Sequence, residues 1–470
     1  MHFSIPDTQV FNNDNGASSY TGFNIHINGS FHCCLRYKQL HSLHEQLKKS
    51  LPTLLLPTFP SKKLLPLTPN QLEQRRASLE RYIQLVGQDP VFSKSELLRI
   101  FLLNAQQESS YTESREVNVD VYLMNGVRIE VDCFTTECSS KVLEKTCQCL
   151  GLSKEYTYYF GLFLIKKEND GGVTLVRKLM DFEAPYISQR FLHDCRIVIR
   201  SSYWDPYYDQ HLMLDKIALN LLYIQTSSDV DRGWILTTNE IKDQLNVLQA
   251  NGNKKEYLEI AKGLPSYGCI KFSNAIVDYP NANETAFILI GNKELCIRTN
   301  LGNKIQETKF KVTRMRCWRV TTNYNNEDSN PTNTQVHSME LSFEYLMSKS
   351  CLKWITIASE QAMLMFVCLQ NMVDELLNRK DGNDFNNIQV TRPNHTNLSY
   401  IRRDGKNRRI SESSSSDTIS SLNEVDMPLQ FNSEALSMRR RLNEKISTTV
   451  LFRKSAVHNE AFEEIGDDDL

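Results

Sequence analysis

No apolar stretch in this 470-residue sequence is long enough to cross a bilayer, and the opening Met1-His2-Phe3-Ser4-Ile5-Pro6 has neither a charged leader nor an apolar run. The expectation is a cytoplasmic chain that meets membranes only from the side. Charge of one sign is missing too. The 54 Lys and Arg stand against 56 Asp and Glu, a net charge of −2, which excludes a general nucleic-acid binder with its broad basic excess. Catalytic signatures are absent: no Ser/His/Asp set, glycine-rich phosphate loop, His-Glu-x-x-His run or paired acid, and the ten His are dispersed. No enzyme is expected. The twelve Cys share no repeated spacing, and Cys33-Cys34 and Cys147-Gln148-Cys149 are too close and isolated for a metal site. Reduced thiols in cytosolic cores are expected, with no metal and no cofactor.

What is present is a length suited to two or three domains and an ordinary globular composition, 40% apolar and 23% charged. Tyr20, Phe23, Ile25 and Ile27 lead into an Asn28-Gly29 turn, and a second strand runs from Phe31 to Tyr37, a hairpin. A short helix with Leu40, Leu43 and Leu47 follows. The prolines of the loop from Leu56 to Pro66 exclude helix and central strand. Thr68-Pro69-Asn70-Gln71 combines a capping residue, Pro at the first helical position and Gln at the third, so a helix starts there and runs to about Val86. Another covers roughly Ser95 to Gln107. A first domain over residues 1–110 is expected.

Residues 116–150 read as a second ββα opening, with strands at 158–166, 173–179 and 196–200 completing a ubiquitin-type unit over 113–202. Residues 209–264 contain no strand pattern and read as helices. From 268 to 381 the period returns to two, with strands at 268–278, 285–290, 294–299, 309–321, 337–346 and 351–357, then a helix from about Ser359 to Arg379. This suits a small sandwich capped by a helix, whose sheet edge can accept a strand from a partner. After Asp381 apolar periodicity disappears, and the tail over 382–470 is expected to be disordered. The fold class is a multidomain α+β chain: a small antiparallel sheet with helices, a three-lobed module and a tail.

Three basic clusters stand out in the first eighty residues: Arg36-Tyr37-Lys38, Lys62-Lys63 and Arg75-Arg76. On a helical wheel Arg75 falls inside the stripe of Leu72, Leu79, Tyr82, Ile83 and Val86, while Arg76 lies at its edge. A guanidinium on a core-facing stripe needs an anion, either an internal carboxylate or a ligand. Arg offers phosphate a bidentate fork and Lys a mobile point charge, and a ring packs against a sugar or inositol face. Together the clusters suggest a phosphate pocket.

Strand-Arg-Tyr, a proline-rich loop with Lys, then a helix carrying Arg-x-x-x-Leu resembles the phox-homology (PX) domain of the sorting nexins. The resemblance implies that Arg36 holds the 3-phosphate of phosphatidylinositol 3-phosphate and that Tyr37 packs on the inositol ring. It implies further that Lys62 reaches the 1-phosphate and Arg75 grips ring hydroxyls. Lys38 stands where the family usually has Ser, and Leu64, Leu65 and Leu67 would wedge into the membrane. The unit 113–380 resembles a FERM module of three lobes, F1 over 113–202, F2 over 203–267 and F3 over 268–381. The combination is similar to the PX-FERM subfamily of sorting nexins over essentially the whole chain. Arg232-Gly-Trp-Ile, Arg314-Met-Arg-Cys-Trp-Arg-Val, Phe343-Glu-Tyr-Leu-Met-Ser-Lys, Met372-Val-Asp-Glu-Leu and the terminal Ile-Gly-Asp-Asp-Asp-Leu carry the match.

The resemblance implies an endosomal cargo adaptor, monomeric and peripheral on early endosome membranes. Its third lobe would bind cytosolic tails of integrin and lipoprotein-receptor type bearing Asn-Pro-x-Tyr or Asn-x-x-Tyr, in a groove involving Trp318, Leu346 and Val373. Ile465, Asp467, Asp468, Asp469 and Leu470 would dock the retriever/Commander complex. The alternative is a FERM-type scaffold linking membrane to cytoskeleton. Two readings come from the residues alone. Asn459-Glu460-Ala461-Phe462 has the Asn-x-x-aromatic spacing of such a signal, so the tail is a candidate occupant of its own groove. Arg408-Arg409-Ile410-Ser411 suits a basophilic kinase.

Overall fold

The computed structural model describes residues 1–11, 19–51, 56–63, 65–168, 171–301, 304–323, 338–348, 351–380, 399–409, 457–459 and 462. They form two compact units: Met1–Tyr111 with Val390–Leu451, and Thr112–Gln389 with Phe452–Leu470.

The first unit opens with β1 (Phe3–Ser4) and β2 (Thr8–Phe11), followed by the expected hairpin of β3 (Tyr20–Ile27) and β4 (Ser30–Arg36). Strand β3 is central, taking β4 on one edge and β1 and β2 in succession on the other, all antiparallel. Asn28 and Gly29 both have positive φ, the geometry a two-residue hairpin turn requires. Four helices follow: α1 (Tyr37–Ser50), α2 (Pro69–Gln88), α3 (Pro90–Lys94) and α4 (Glu96–Ser110). Thr68 and Gln71 close the capping box at the start of α2. Strands β1 and β2 and helix α3 are too short to leave a periodic signal. Tertiary contacts define them. The Phe3 ring lies over Gly87, where a methyl group would collide with it.

The helical wheel of α2 needs correction. The buried arginine is Arg76, while Arg75 is partly exposed on the side of the proline loop. Arg76 donates to Glu73, to Glu80 and to the carbonyl of Ile5, so internal carboxylates satisfy it and it belongs to the core. Angular position cannot separate two neighbouring residues that flank one stripe. The carboxylates one turn to either side of Arg76 decide which is drawn in.

In the second unit the first lobe comprises β5 (Glu116–Tyr122), β6 (Arg128–Phe134), α5 (Ser139–Leu150), β7 (Phe160–Lys167), β8 (Val173–Lys178), α6 (Pro185–Phe191) and β9 (Cys195–Ser201). The sheet order is β6-β5-β9-β7-β8, with β5 and β9 parallel, the ubiquitin-like arrangement expected. A helical lobe follows: α7 (Asp209–Leu212), α8 (Lys216–Asp231), α9 (Asn239–Ala250) and α10 (Lys254–Lys262). A buried fork joins the two lobes: Arg200 of β9 donates to both oxygens of Asp229 on α8 at 3.2 and 3.0 Å. Trp234 lies 5.2 Å from that guanidinium, and Arg232 donates to the carbonyl of Met124 at 2.6 Å. The Arg232-Gly-Trp motif is therefore a lobe junction.

The third lobe contains β10 (Ile270–Lys271), β11 (Ala275–Val277), β12 (Glu284–Gly291), β13 (Glu294–Leu301), β14 (Lys304–Lys311), β15 (Met315–Asn323), β16 (Ser338–Ser348), β17 (Cys351–Ala358) and α11 (Ala362–Lys380). The single strand expected over 309–321 is two, because a turn of 3₁₀ helix at Val312–Arg314 breaks the pairing and sends β15 to β16. Helix α11 packs across β12, β15 and β16. Its Glu375 accepts the amides of Trp204 and Asp205, so the helix also anchors the segment after β9.

Most of the tail over 382–470 lies outside the described residues. Two short segments within it are described, and both are paired. Strands β18 (Ser399–Ile401) and β19 (Asn407–Arg409) form a hairpin within the first unit, and β20 (Val457–His458) pairs antiparallel with β15.

Candidate functional site

Two sites are built, one in each unit. In the first, Arg36 ends β4 and Tyr37 begins α1. Arg36 offers its amide to the Gln39 side chain at 2.9 Å, closing the helix start. Its guanidinium lies 4.0 Å above the Tyr20 ring, and Nη1 donates to the carbonyl of Arg403 at 2.6 Å. Arg75 reaches from α2 over the Tyr37 ring, 4.5 Å from its centre, and donates to the carbonyl of Ser61 at 3.2 Å. The Tyr37 hydroxyl donates to the carbonyl of Pro60 at 2.7 Å. Burial lifts the Tyr37 phenol above its ordinary value and Arg75 opposes the rise, so the ring is neutral.

The fold thus gathers Arg36, Tyr37, Arg75 and the loop beside Lys62. Phe59 fixes that loop, with its ring 5.0 Å from His44 and 4.8 Å from Tyr82. Among the described residues no carboxylate pairs with Arg36, Lys62 or Arg75. Arg76 on the same helix has two. A guanidinium placed on a ring face and a carbonyl keeps its charge available, which suits an anionic ligand. Lys38 is exposed, with its ammonium beside the turn at Gly405. Leu65 is 81% exposed and Leu67 is half-buried. Leu64 lies outside the described residues.

The twelve cysteines are free. Burial pushes the Cys34 thiol up to about 12, and Cys133 and Cys147 up to about 11, so these thiols are unreactive. No cluster suited to a metal occurs among the described residues, and none of their helices is long and apolar enough to cross a membrane.

The second site is the open edge of β15. Val457 and His458 pair with Trp318 and Cys317, and the amide of Asn459 donates to the carbonyl of Arg316 at 3.0 Å. The Asn459 carboxamide is buried and donates twice from Nδ2, to the carbonyls of Val312 at 2.9 Å and Met315 at 2.7 Å. The chain then turns, with the amide of Phe462 donating to the carbonyl of Asn459 at 3.0 Å. The tail segment read as a candidate occupant therefore lies along this edge. Only a side chain with a neutral NH₂ at that length serves both carbonyls. Asp would set an anion against two acceptors.

Of the expected groove residues, Trp318 is fully buried on β15 and meets the tail through its main chain. Val373 is buried on α11, and Leu346 is half-buried near the end of β16, where its carbonyl accepts from Arg314 beside the 3₁₀ turn. The turn carbonyls of Val312 and Met315 carried no signal in the sequence, since main-chain acceptors leave none. Ile465, Asp467, Asp468, Asp469 and Leu470 lie outside the described residues, as do Ile410 and Ser411.

Family models match nearly the whole folded part of the chain. They are the PX domain over residues 23–105, the sorting nexin 17/27/31 FERM F1 lobe over 117–204, the sorting nexin 17/31 FERM F2 lobe over 205–265 and the sorting nexin 17 FERM C-terminal domain over 268–377. Sorting nexin-17 of Danio rerio is 43% identical over 479 residues, and that of Homo sapiens 41% over 478, with both chains covered completely in each case. Sorting nexin-31 of Homo sapiens is 33% identical over 379 residues, covering 80% of this chain and 86% of that protein.

Proposed function

The chain belongs to the sorting nexin-17 family, a family of non-enzymatic PX-FERM adaptors, and from that premise we propose that it is an endosomal cargo adaptor. Its first unit holds phosphatidylinositol 3-phosphate, its third FERM lobe holds receptor tails with Asn-Pro-x-Tyr or Asn-x-x-Tyr signals, and its terminal acids engage the retriever/Commander complex.

The observation that carries the reading is the seating of Asn459. Strand addition takes affinity from main-chain hydrogen bonds and specificity from side-chain pockets. Here β15 supplies the first, and the paired carbonyls of Val312 and Met315 supply the second. A receptor tail with Asn at the same register makes the same bonds. It must displace the chain's own segment to do so. The pocket of Arg36, Tyr37, Lys62 and Arg75 supports the lipid half, because its cations lack internal carboxylates. A single headgroup gives weak, reversible attachment and a second signal is needed for residence; cargo supplies it.

The test for the lipid half is flotation with liposomes containing phosphatidylinositol 3-phosphate. Arg36→Ala is expected to lose liposome binding while keeping Asn-Pro-x-Tyr peptide binding. Retained liposome binding refutes the pocket.

A further inference from the structure

The arginine at the centre of the phosphate pocket is held in place by a residue 367 positions away in sequence. The hairpin of β18 and β19 is seated on β4, α1 and α4 by a dense set of bonds. Gln46 exchanges two hydrogen bonds with the main chain of Ser399, at 2.8 and 3.0 Å. Gln39 donates to the carbonyl of Ile401 at 2.9 Å. The Tyr400 hydroxyl donates to Glu108 at 2.8 Å while its ring lies 5.5 Å from that of Phe101. Arg403 enters furthest: its amide donates to Glu108 at 2.7 Å and its guanidinium to the carbonyl of Cys34 at 2.8 Å and the hydroxyl of Ser109 at 2.6 Å. Tyr400 is 2% exposed and Arg403 8%. These partners fix the Arg403 carbonyl at Arg36.

The charge of the hairpin indicates the direction of its effect. A segment that blocked the pocket would bring a carboxylate to Arg36. This one brings a carbonyl, which orients the guanidinium without neutralising it. Residues 399–409 carry five basic side chains and one acid, and that acid, Asp404, accepts the amide of Lys406 inside the turn. Lys406 and Arg408 are exposed, and Lys38 lies beside the same turn. The hairpin therefore raises the positive potential around the pocket.

We propose that the Ser399–Arg409 hairpin is a working part of the phosphoinositide site, in which Arg403 is the positioning residue that holds the Arg36 guanidinium at the angle the 3-phosphate requires. Residues 1–111 alone are then an incomplete site. This rests on the lipid-pocket reading above. The ligand chemistry is an inositol ring with a 3-phosphate, whether in a lipid headgroup or free.

The experiment uses the full-length chain with residues 399–409 replaced by Gly and Ser at equal length, and separately with Arg403→Ala. Affinity is measured for liposomes containing the 3-, 4- or 5-monophosphate of phosphatidylinositol, and by calorimetry for soluble inositol 1,3-bisphosphate. The three lipids carry equal charge, so their ratio reports the placement of Arg36 and not potential or fold. Both variants are expected to lose about tenfold for the 3-phosphate, the worth of one charge-assisted hydrogen bond, with a narrower preference over the other isomers. Loss on liposomes and on the soluble headgroup alike assigns the effect to the ring contact; loss on liposomes alone overturns the positioning role. An unchanged isomer ratio, or tighter binding, also overturns it. If Arg36→Ala abolishes binding while the hairpin variants keep affinity and ratio, this inference falls and the lipid pocket stands. If Arg36→Ala changes nothing, the pocket itself falls.

Discussion

Replacing Asn459 by Ala tests the strand-accepting edge most directly. The substitution removes both Nδ2 hydrogen bonds, to Val312 and Met315, and leaves the main-chain pairing of Val457 and His458 intact. Each buried neutral hydrogen bond contributes about 1 kcal/mol net, so the tail segment loses about 2 kcal/mol of hold on the groove. That changes its bound-to-released ratio by about thirtyfold. An external peptide binds only the released form, so its apparent dissociation constant equals the intrinsic one divided by the released fraction. Calorimetry with an Asn-Pro-x-Tyr peptide on the full-length protein is therefore expected to show tighter binding by Asn459→Ala than by wild type. The gain approaches about thirtyfold if the tail is bound nearly all the time. Asn459→Asp should release the tail at least as fully, because its carboxylate faces two carbonyl oxygens. Phe462→Ala should move affinity the same way, because it removes the partly buried ring that follows the turn while the turn's main-chain bond remains. Unchanged peptide affinity in all three variants refutes self-occupancy.

Three further expectations follow from buried groups. Val373→Asp places a carboxylate on the buried face of α11 at a cost of several kcal/mol and should abolish peptide binding in calorimetry; a normal isotherm sinks the groove assignment. Asp229→Asn leaves Arg200 buried without its anion, a loss of about 3–5 kcal/mol, and should lower the melting temperature of the FERM lobes by several degrees; an unchanged melt contradicts the lobe junction. Burial pushes the Glu375 carboxyl up to about 7, with the amides of Trp204 and Asp205 opposing the shift. The folded state thus holds this proton more tightly than the unfolded state, whose carboxyl keeps its ordinary value of 4.5. The stability from protonation is complete below that value and is lost as pH rises through 7. The melting temperature of wild type relative to Glu375→Gln should fall between about pH 5 and about pH 8, and a constant difference excludes the shift.

Much of the architecture was legible in the residues. The Asn28-Gly29 turn, the Thr68-Pro69 helix start and the period-two runs of the first and third lobes are local signals, and the structure has the elements they imply. The elements that were missed are short or polar. β1, β2, α3 and the hairpin of β18 and β19 have no periodicity to detect, because partners distant in the chain supply most of their bonds. The site divided along the same line. Arg36, Tyr37, Lys62 and Arg75 were visible as charge and ring, whereas Tyr20, Phe59 and Gln39 hold them through contacts that resemble ordinary packing.

The sequence alone determined the family and the order of the lobes, since motif spacing, turn residues and periodicity are local properties of a chain. Tertiary structure decided the rest: which arginine of the Arg75-Arg76 pair is buried, that the hairpin at Ser399–Arg409 completes the first unit, and that Asn459 seats on β15. Each depends on where main-chain carbonyls and carboxylates come to lie once the chain has folded. Those positions have no side-chain signature to read in advance.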